Sequence, residues 1–191
     1  MKSKGTILFF LYFYVAWYLC VLTGKAGDHL VSLVLPIPAL IFSIWGQRVS
    51  VEIMFRSFIL ICLGIGFDAL ANRVGWISFE SVSVTNQKHT WSLLPMWLIS
   101  LWLLYMAYLP ALAKIFRGHL MVGVLMGSVF GPLSYLSGEK FEVLFFAGTW
   151  EILFYAIFWG LHFLASIILL KSFSLKIQSN EQNSSRGTNE T

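Results

Sequence analysis

The sequence predicts an all-α fold: a polytopic transmembrane bundle of about six helices with both termini cytoplasmic. Three observations lead there. Only 12% of the 191 residues are charged, half of the roughly 25% found in soluble domains, while 58% are hydrophobic and mean hydropathy is +0.76. The apolar residues form runs near the length of about 17–25 that a helix needs to cross a hydrocarbon core of about 30 Å. The basic residues lie between those runs, as topology-setting charges do.

Six runs qualify or nearly qualify, approximately 6–23, 29–46, 56–71, 93–112, 119–137 and 148–170. Helices are required because lipid offers no hydrogen-bond partner to backbone groups, and the period-two alternation of a membrane barrel is missing. The first run follows Lys2 and Lys4 like a signal peptide, but it is longer and more aromatic than a usual signal core, so a retained helix is expected. The second carries Pro36 and Pro38 and should be bent or irregular. The third is short, bracketed by Arg56 and Arg73 with Asp68 inside. Pro95 stands near the start of the fourth, where proline is tolerated, and Trp97 and Trp102 there are read as packing and interface anchors. The only long connection, 72–90, contains the strand-like "WISFESVSV", read as a hairpin or a segment lying on the membrane. Residues 1–171 thus form the membrane domain, and the polar stretch 172–191 reads as a disordered cytoplasmic tail.

With the amino terminus inside, Lys2, Lys4, Arg48, Arg56, Lys114, Arg117, Lys171, Lys176 and Arg186 are cytoplasmic, against Lys25, Arg73, Lys88 and Lys140 outside. The net charge of +4 is not gathered into a basic patch with stacking aromatics, so nucleic acid is not an expected partner. Cys20 and Cys62 lie in apolar runs without a CxxC or Cys/His cluster and read as small buried hydrophobes. An inverted three-plus-three repeat, the mark of many transporters, is compatible in helix number, but the halves show no convincing sequence match.

In the fifth helix Gly123, Gly127 and Gly131 recur every four residues and form one small-residue face for close helix packing. Pro132 removes a donor from the carbonyl of Ser128 and predicts a kink. Ser134, Tyr135 and Ser137 follow with hydroxyls that either bond neighbouring backbone or line a polar pocket. Asp68 is the most informative residue, since a carboxylate near a span's centre costs roughly 2.5–3.5 kcal/mol on insertion scales. It is either functional or bonded locally to Asn72 or Arg73. Asp28, with His29 after it, starts the second helix as a cap or as part of a site. In the sixth helix Glu151, Tyr155, Trp159 and His162 share a face and give it a polar seam. The candidate polar cluster is therefore Asp28, His29, Asp68, Ser134, Tyr135, Glu151 and His162. No spacing such as H-x-x-x-H supports a metal, no nucleophile motif surrounds Ser134, and no cofactor is expected.

Trp17 and Cys20 late in the first helix, "LLPMWLISLW" at 93–102 and "GPLSYLSG" at 131–138 together resemble a family of small bacterial inner-membrane proteins known only as a domain of unknown function. The resemblance covers roughly residues 7–170, with Trp17, Pro95, Trp97, Trp102, Gly131, Pro132, Tyr135 and Gly138 as the matching positions. It implies a bacterial inner membrane, and its members' gene neighbourhoods, with cyclopropane-fatty-acid-synthase-like methyltransferases, imply membrane-lipid metabolism. It supplies no catalytic residues. The expected function is a multi-pass inner-membrane protein accessory to membrane-lipid modification, with membrane lipids and other inner-membrane proteins as partners. Two alternatives stay open: a small transporter with a polar site between broken helices two and five, and an integral membrane enzyme using Asp68, Glu151 or His162 for acid–base work.

Overall fold

The computed structural model describes residues 3–79 and 94–187, with side chains described for all of these except 3, 4, 6, 29 and 171–187. Its helices are α1 (Ser3–Ala26), α2 (His29–Val34), α3 (Pro36–Ile41), α4 (Val51–Arg73), α5 (Met96–Phe116), α6 (Leu120–Lys140) and α7 (Thr149–Gly187), with a π-helical turn at Phe42–Gly46 and strands β1 (Ile77–Phe79) and β2 (Leu144–Phe146). Five helices are long and apolar enough to cross a membrane. The chain is built as a multi-pass membrane protein would be.

The second expected span is the broken one. Pro36 cannot donate to the carbonyl of Ser32, and the Cys20 thiol approaches that carbonyl at 3.9 Å. The Leu35 carbonyl accepts from the Tyr12 hydroxyl at 2.7 Å. Helix α1 thus reaches the Ser32 carbonyl that Pro36 leaves without its usual donor, and adds a bond to the Leu35 carbonyl at the break. The third span is longer than its apolar run. Ser50 caps it through the Ile53 amide, and Glu52 bonds Arg56 at 2.7 Å, so the helix starts at Val51 rather than at Arg56. The Arg56 guanidinium also donates to the Leu169 carbonyl at 2.9 Å and ties α4 to α7. The backbone of α7 stays helical to Gly187, through most of the stretch whose composition reads as a tail.

Three helices end in the same way at one end of the bundle. After α1, Gly27 turns left-handed and the amide of Asp28 reaches the Thr23 carbonyl at 2.9 Å. After α4, Gly75 does the same, with Trp76 bonded to Ala71. After α6 the left-handed residue is Glu142, with Val143 bonded to Gly138. These are Schellman closures, which satisfy the last carbonyls and turn the chain sharply. The last two lead directly into β1 and β2, which pair antiparallel, Ile77 with Phe146 and Phe79 with Leu144. The strand-like character at 77–79 is real, but its partner is the segment before α7 rather than its own continuation. Residues 80–93, the rest of that connection, lie outside the described set.

This pairing exposes an internal repeat. The unit α4–β1–α5 corresponds to α6–β2–α7, helix for helix and strand for strand. Both units run in the same direction, because α4 and α6 both end at the paired strands. The repeat is therefore parallel and spans two helices, unlike the inverted three-helix repeat considered from the sequence. Gly64 of α4 lies under the ring of Trp102 of α5, and Gly131 of α6 under the ring of Trp159 of α7. The two indoles stack at 5.1 Å, inclined by 1°. Helix α5 is the central element, burying Trp97, Leu98, Trp102, Leu104, Tyr105, Tyr108 and Leu109. Helices α1 to α3 pack on its other side through Phe9, Ala16 and Ala39, with Phe9 stacked on Tyr108 at 3.9 Å.

Candidate functional site

Asp68 is fully buried in α4, one helical turn past Gly64, and accepts from three donors. The Trp102 indole N–H and the Tyr135 hydroxyl each donate to Oδ2 at 2.7 Å, and the Tyr155 hydroxyl donates to Oδ1 at 2.9 Å. The carboxyl group thereby joins α4, α5, α6 and α7. Local bonding to Asn72 or Arg73 is not what the structure shows. Three hydrogen bonds in low-dielectric surroundings are what an otherwise costly buried carboxyl group requires.

Next to Asp68 lies a four-ring cluster. Trp102 and Tyr105 of α5 face Trp159 and His162 of α7, with Tyr105 edge-on to Trp159 at 5.4 Å and His162 edge-on to Trp102 at 5.6 Å. The rings occupy equivalent places in the two units, since each tryptophan precedes its partner ring by three residues. On the α4 side the polar atoms are met: Trp102 bonds Asp68, and His162 Nε2 lies 3.0 Å from the Leu60 carbonyl. The Trp159 N–H, the Tyr105 hydroxyl and His162 Nδ1 are buried and make no hydrogen bond of good geometry among the described residues; the Tyr105 hydroxyl lies beside Ser166 of α7 and the Trp159 N–H beside the Tyr135 hydroxyl.

A cleft of about 450 Å³ opens between α1, α5, α6 and α7. Its wall on α5 runs from Leu98 to Phe116, roughly 27 Å of helix. Its lining is mostly apolar and aromatic, and the polar atoms of Tyr105 and Trp159 are buried behind it. Tyr14 and Phe130 stand exposed on its rim, so the mouth opens sideways between α1 and α6. Toward the strand end, α1 is tied to the turn after α6 by the Lys25–Glu142 ion pair at 2.8 Å and the edge-on contact of Tyr18 with Phe141. The Lys25 ammonium beside Glu142 holds that carboxyl below the usual glutamate range, through a hydrogen bond first and charge second.

The expected site residues separate into two groups. Asp68 and Tyr135 meet directly, and His162 joins them through the tryptophan rings. Asp28 does not: it caps α2, accepting from the Val31 amide at 3.3 Å. The side chain of His29 lies outside the described set. Glu151 sits in the first turn of α7, half-buried, and bonds none of the cluster residues. Ser134 donates to the Gly131 carbonyl at 2.6 Å while facing the cleft, and Ser137 donates to Leu133. Gly123, Gly127 and Gly131 form the α6–α7 packing face, against Ile167, Phe163 and Trp159, and α6 stays helical through Pro132.

Trp102, Tyr105 and Trp159 were not among the expected site residues. The available signal was the spacing: a tryptophan followed three residues later by a ring with a polar atom, once in α5 and once in α7. Tyr155, recognised only as part of the α7 seam, is a ligand of Asp68. Among the described residues no three His, Cys, Asp or Glu side chains come together as a metal set would.

The family model described as "Protein of unknown function (DUF2878)" matches residues 6–165. Neither a curated protein nor a solved structure matches.

Proposed function

The chain belongs to the DUF2878 family of proteins of unknown function, and we propose that it is a multi-pass protein of the bacterial cytoplasmic membrane that admits a lipid sideways into the α1/α5/α6/α7 cleft, as an accessory to lipid modification. The cleft carries this reading. A volume of about 450 Å³ lies within the roughly 300–1,000 Å³ of small-molecule sites. Its length, apolar wall and lateral mouth suit an aliphatic chain arriving from within the bilayer. The basic-residue bias supports cytoplasmic termini, with the paired strands at the periplasmic end. The gene company that the resemblance implies supports the link to lipid modification.

The test is lipid retention by the full chain purified in lipid nanodiscs. Ser134 faces the cleft, and Ser134→Trp should fill it and remove co-purifying lipid seen by native mass spectrometry. Leu133→Trp, on the outer face of the same helix, should leave it. Equal retention by wild type and both variants would sink the reading. A lipid profile of a deletion strain adds the cellular side: unchanged lipids argue against a role in modification.

A second reading, a small carrier, is favoured by the parallel repeat, since carriers hold their cargo near the midplane between repeats. Lipid flip or ion flux across reconstituted vesicles separates it from the first; a static binder produces neither.

A further inference from the structure

We infer that the cleft selects an uncharged lipid carrying a flat ring on its hydrocarbon chain, with the ring seated between Ser134 of α6 and Leu98 and Leu101 of α5. This rests on the lipid-cleft reading above and names the class of lipid the cleft takes.

The internal repeat shows what fills this kind of gap. The spacing that relates Gly64 to Gly131, Gly75 to Glu142 and Ile77 to Leu144 also relates Phe67 to Ser134. The spacing that relates Trp102 to Trp159 also relates Leu101 to Phe158 and Leu98 to Tyr155. At the sealed α4/α7 approach these positions hold three rings. Phe67 stacks on Phe158 at 3.7 Å, inclined by 3°, and Tyr155 meets Phe67 edge-on at 5.0 Å. At the α5/α6 approach the same three positions hold Ser134, Leu101 and Leu98, and all three line the cleft. Burial matches position by position: Phe67, Phe158, Ser134 and Leu101 are half-buried, and Tyr155 and Leu98 are buried. The cleft thus lies where the other unit places a stacked aromatic pair.

The other walls suit a ring as well. Trp17 of α1, Tyr105 of α5 and Trp159 of α7 line the cleft, and most of its remaining side chains are aromatic too. Aromatic side chains pair best with another ring, offset-stacked or edge-on, and such pairs add to what burial alone provides. A saturated chain fills the space by dispersion and gains nothing further from these rings. Charge sets the second condition. No Lys, Arg or His is among the lining residues, so an anionic group drawn to this depth meets no countercharge in a low-dielectric interior. The chain behind the ring lies along Leu112, Phe116 and Met126, toward the end of the bundle opposite the strands. Prenylated phenols and prenylated quinones share this chemistry, a flat uncharged ring on a long apolar chain.

The experiment titrates four probes into the full chain in detergent micelles, with occupancy read by native mass spectrometry. Tocopherol and phylloquinone each carry a ring on a phytyl-type chain. Phytol is such a chain without a ring, and dioleoylphosphatidylglycerol brings acyl chains under an anionic headgroup. At least one of the two ring lipids should bind about fivefold or more tighter than phytol and the phosphatidylglycerol, and which one identifies the kind of ring. The double variant Ser134→Phe/Leu101→Phe supplies in this unit the pair that Phe67 and Phe158 form in the other, and it should abolish ring-lipid binding. Leu133→Phe, on the exposed face of α6, should leave it intact. If phytol or the phosphatidylglycerol binds as tightly as both ring lipids, the cleft takes a hydrocarbon chain alone; this inference falls while the lipid-cleft reading stands. Ring lipids that bind the double variant as tightly as the wild type overturn it too. If no probe binds, this inference falls, and the lipid-cleft reading falls with it only if Ser134→Trp keeps its co-purified lipid. The ranking of probes on the wild-type chain needs no variant, so poor folding of the double variant cannot shelter the inference.

Discussion

In α4–β1–α5, a glycine accepts a tryptophan face, and one turn later a carboxyl group captures that tryptophan's N–H. In α6–β2–α7, a glycine again accepts a tryptophan face, and one turn later stands Tyr135, whose hydroxyl is already given to Asp68. The first unit closes against its neighbour: Phe67 of α4 stacks on Phe158 of α7 at 3.7 Å. The corresponding approach, of α6 to α5, is open and forms the cleft. The same plan thus gives one sealed interface and one open one. The units differ in the side chain one turn past the glycine, the acceptor Asp68 in α4 and the donor Tyr135 in α6.

Removing Asp68 should produce the largest effect. Asp68→Leu strands the N–H of Trp102 and the hydroxyls of Tyr135 and Tyr155 in the interior, at about 1–3 kcal/mol each, so thermal unfolding in detergent should show a loss on the order of 3 kcal/mol or more. Asp68→Asn keeps an acceptor oxygen and should cost clearly less. Equal melting of the leucine variant and wild type would falsify the keystone role.

The glycines test the packing half of the comparison. A Cβ on Gly64 meets the far edge of the Trp102 ring, whereas one on Gly131 meets the base of Trp159, including its own Cβ. The Trp102 ring is held by Asp68 and by its stack on Trp159, so neither side chain yields cheaply. Gly131→Ala and Gly64→Ala should each destabilise by roughly 1–3 kcal/mol in the same melting assay. The tryptophans test the polar half. Trp102→Phe and Trp159→Phe lose similar packing, but only the first also loses a hydrogen bond, to Asp68. In lipid-free protein Trp102→Phe should melt lower than Trp159→Phe by about 1–2 kcal/mol. The reverse order would mean that the Trp159 N–H has a partner within the protein.

Much of this was legible in the sequence, and the rest was hidden for physical reasons. Apolar run length located the spans, because hydrocarbon thickness fixes helix length. It misplaced the start of α4, because Arg56 lies within the helix, paired with Glu52, rather than ending it. Asp68, Tyr135 and His162 stood out as polar groups in apolar runs. Trp159 was read only as part of the α7 seam, Trp102 only as an anchor and family match, and Tyr105 not at all, because an aromatic ring in a membrane span is ordinary. The repeat escaped notice because equivalent positions carry different chemistry, Asp68 against Tyr135 and Tyr105 against His162. Only the shared contacts, and the strand pairing of residues 77–79 with 144–146, reveal it.

The smallest expected effect lies where the two units turn into their strands. Gly75 and Glu142 hold equivalent left-handed positions, with φ of 80° and 59°. Glycine adopts that conformation without steric cost, and glutamate does not. Glu142→Gly should therefore raise the melting temperature slightly at neutral pH, while Gly75→Ala lowers it. Glu142 also pairs with Lys25 at an exposed site, where such pairs contribute little. That pair lowers the Glu142 pKa in the folded protein. Its contribution is then present above the usual glutamate value of about 4.3 and is lost as pH falls through the lower folded value. The wild type loses this contribution on acidification and Glu142→Gly has none to lose, so the variant's advantage should be larger at pH about 3 than at pH about 7. An advantage that does not change with pH would leave the backbone as the whole of the difference between the two turns.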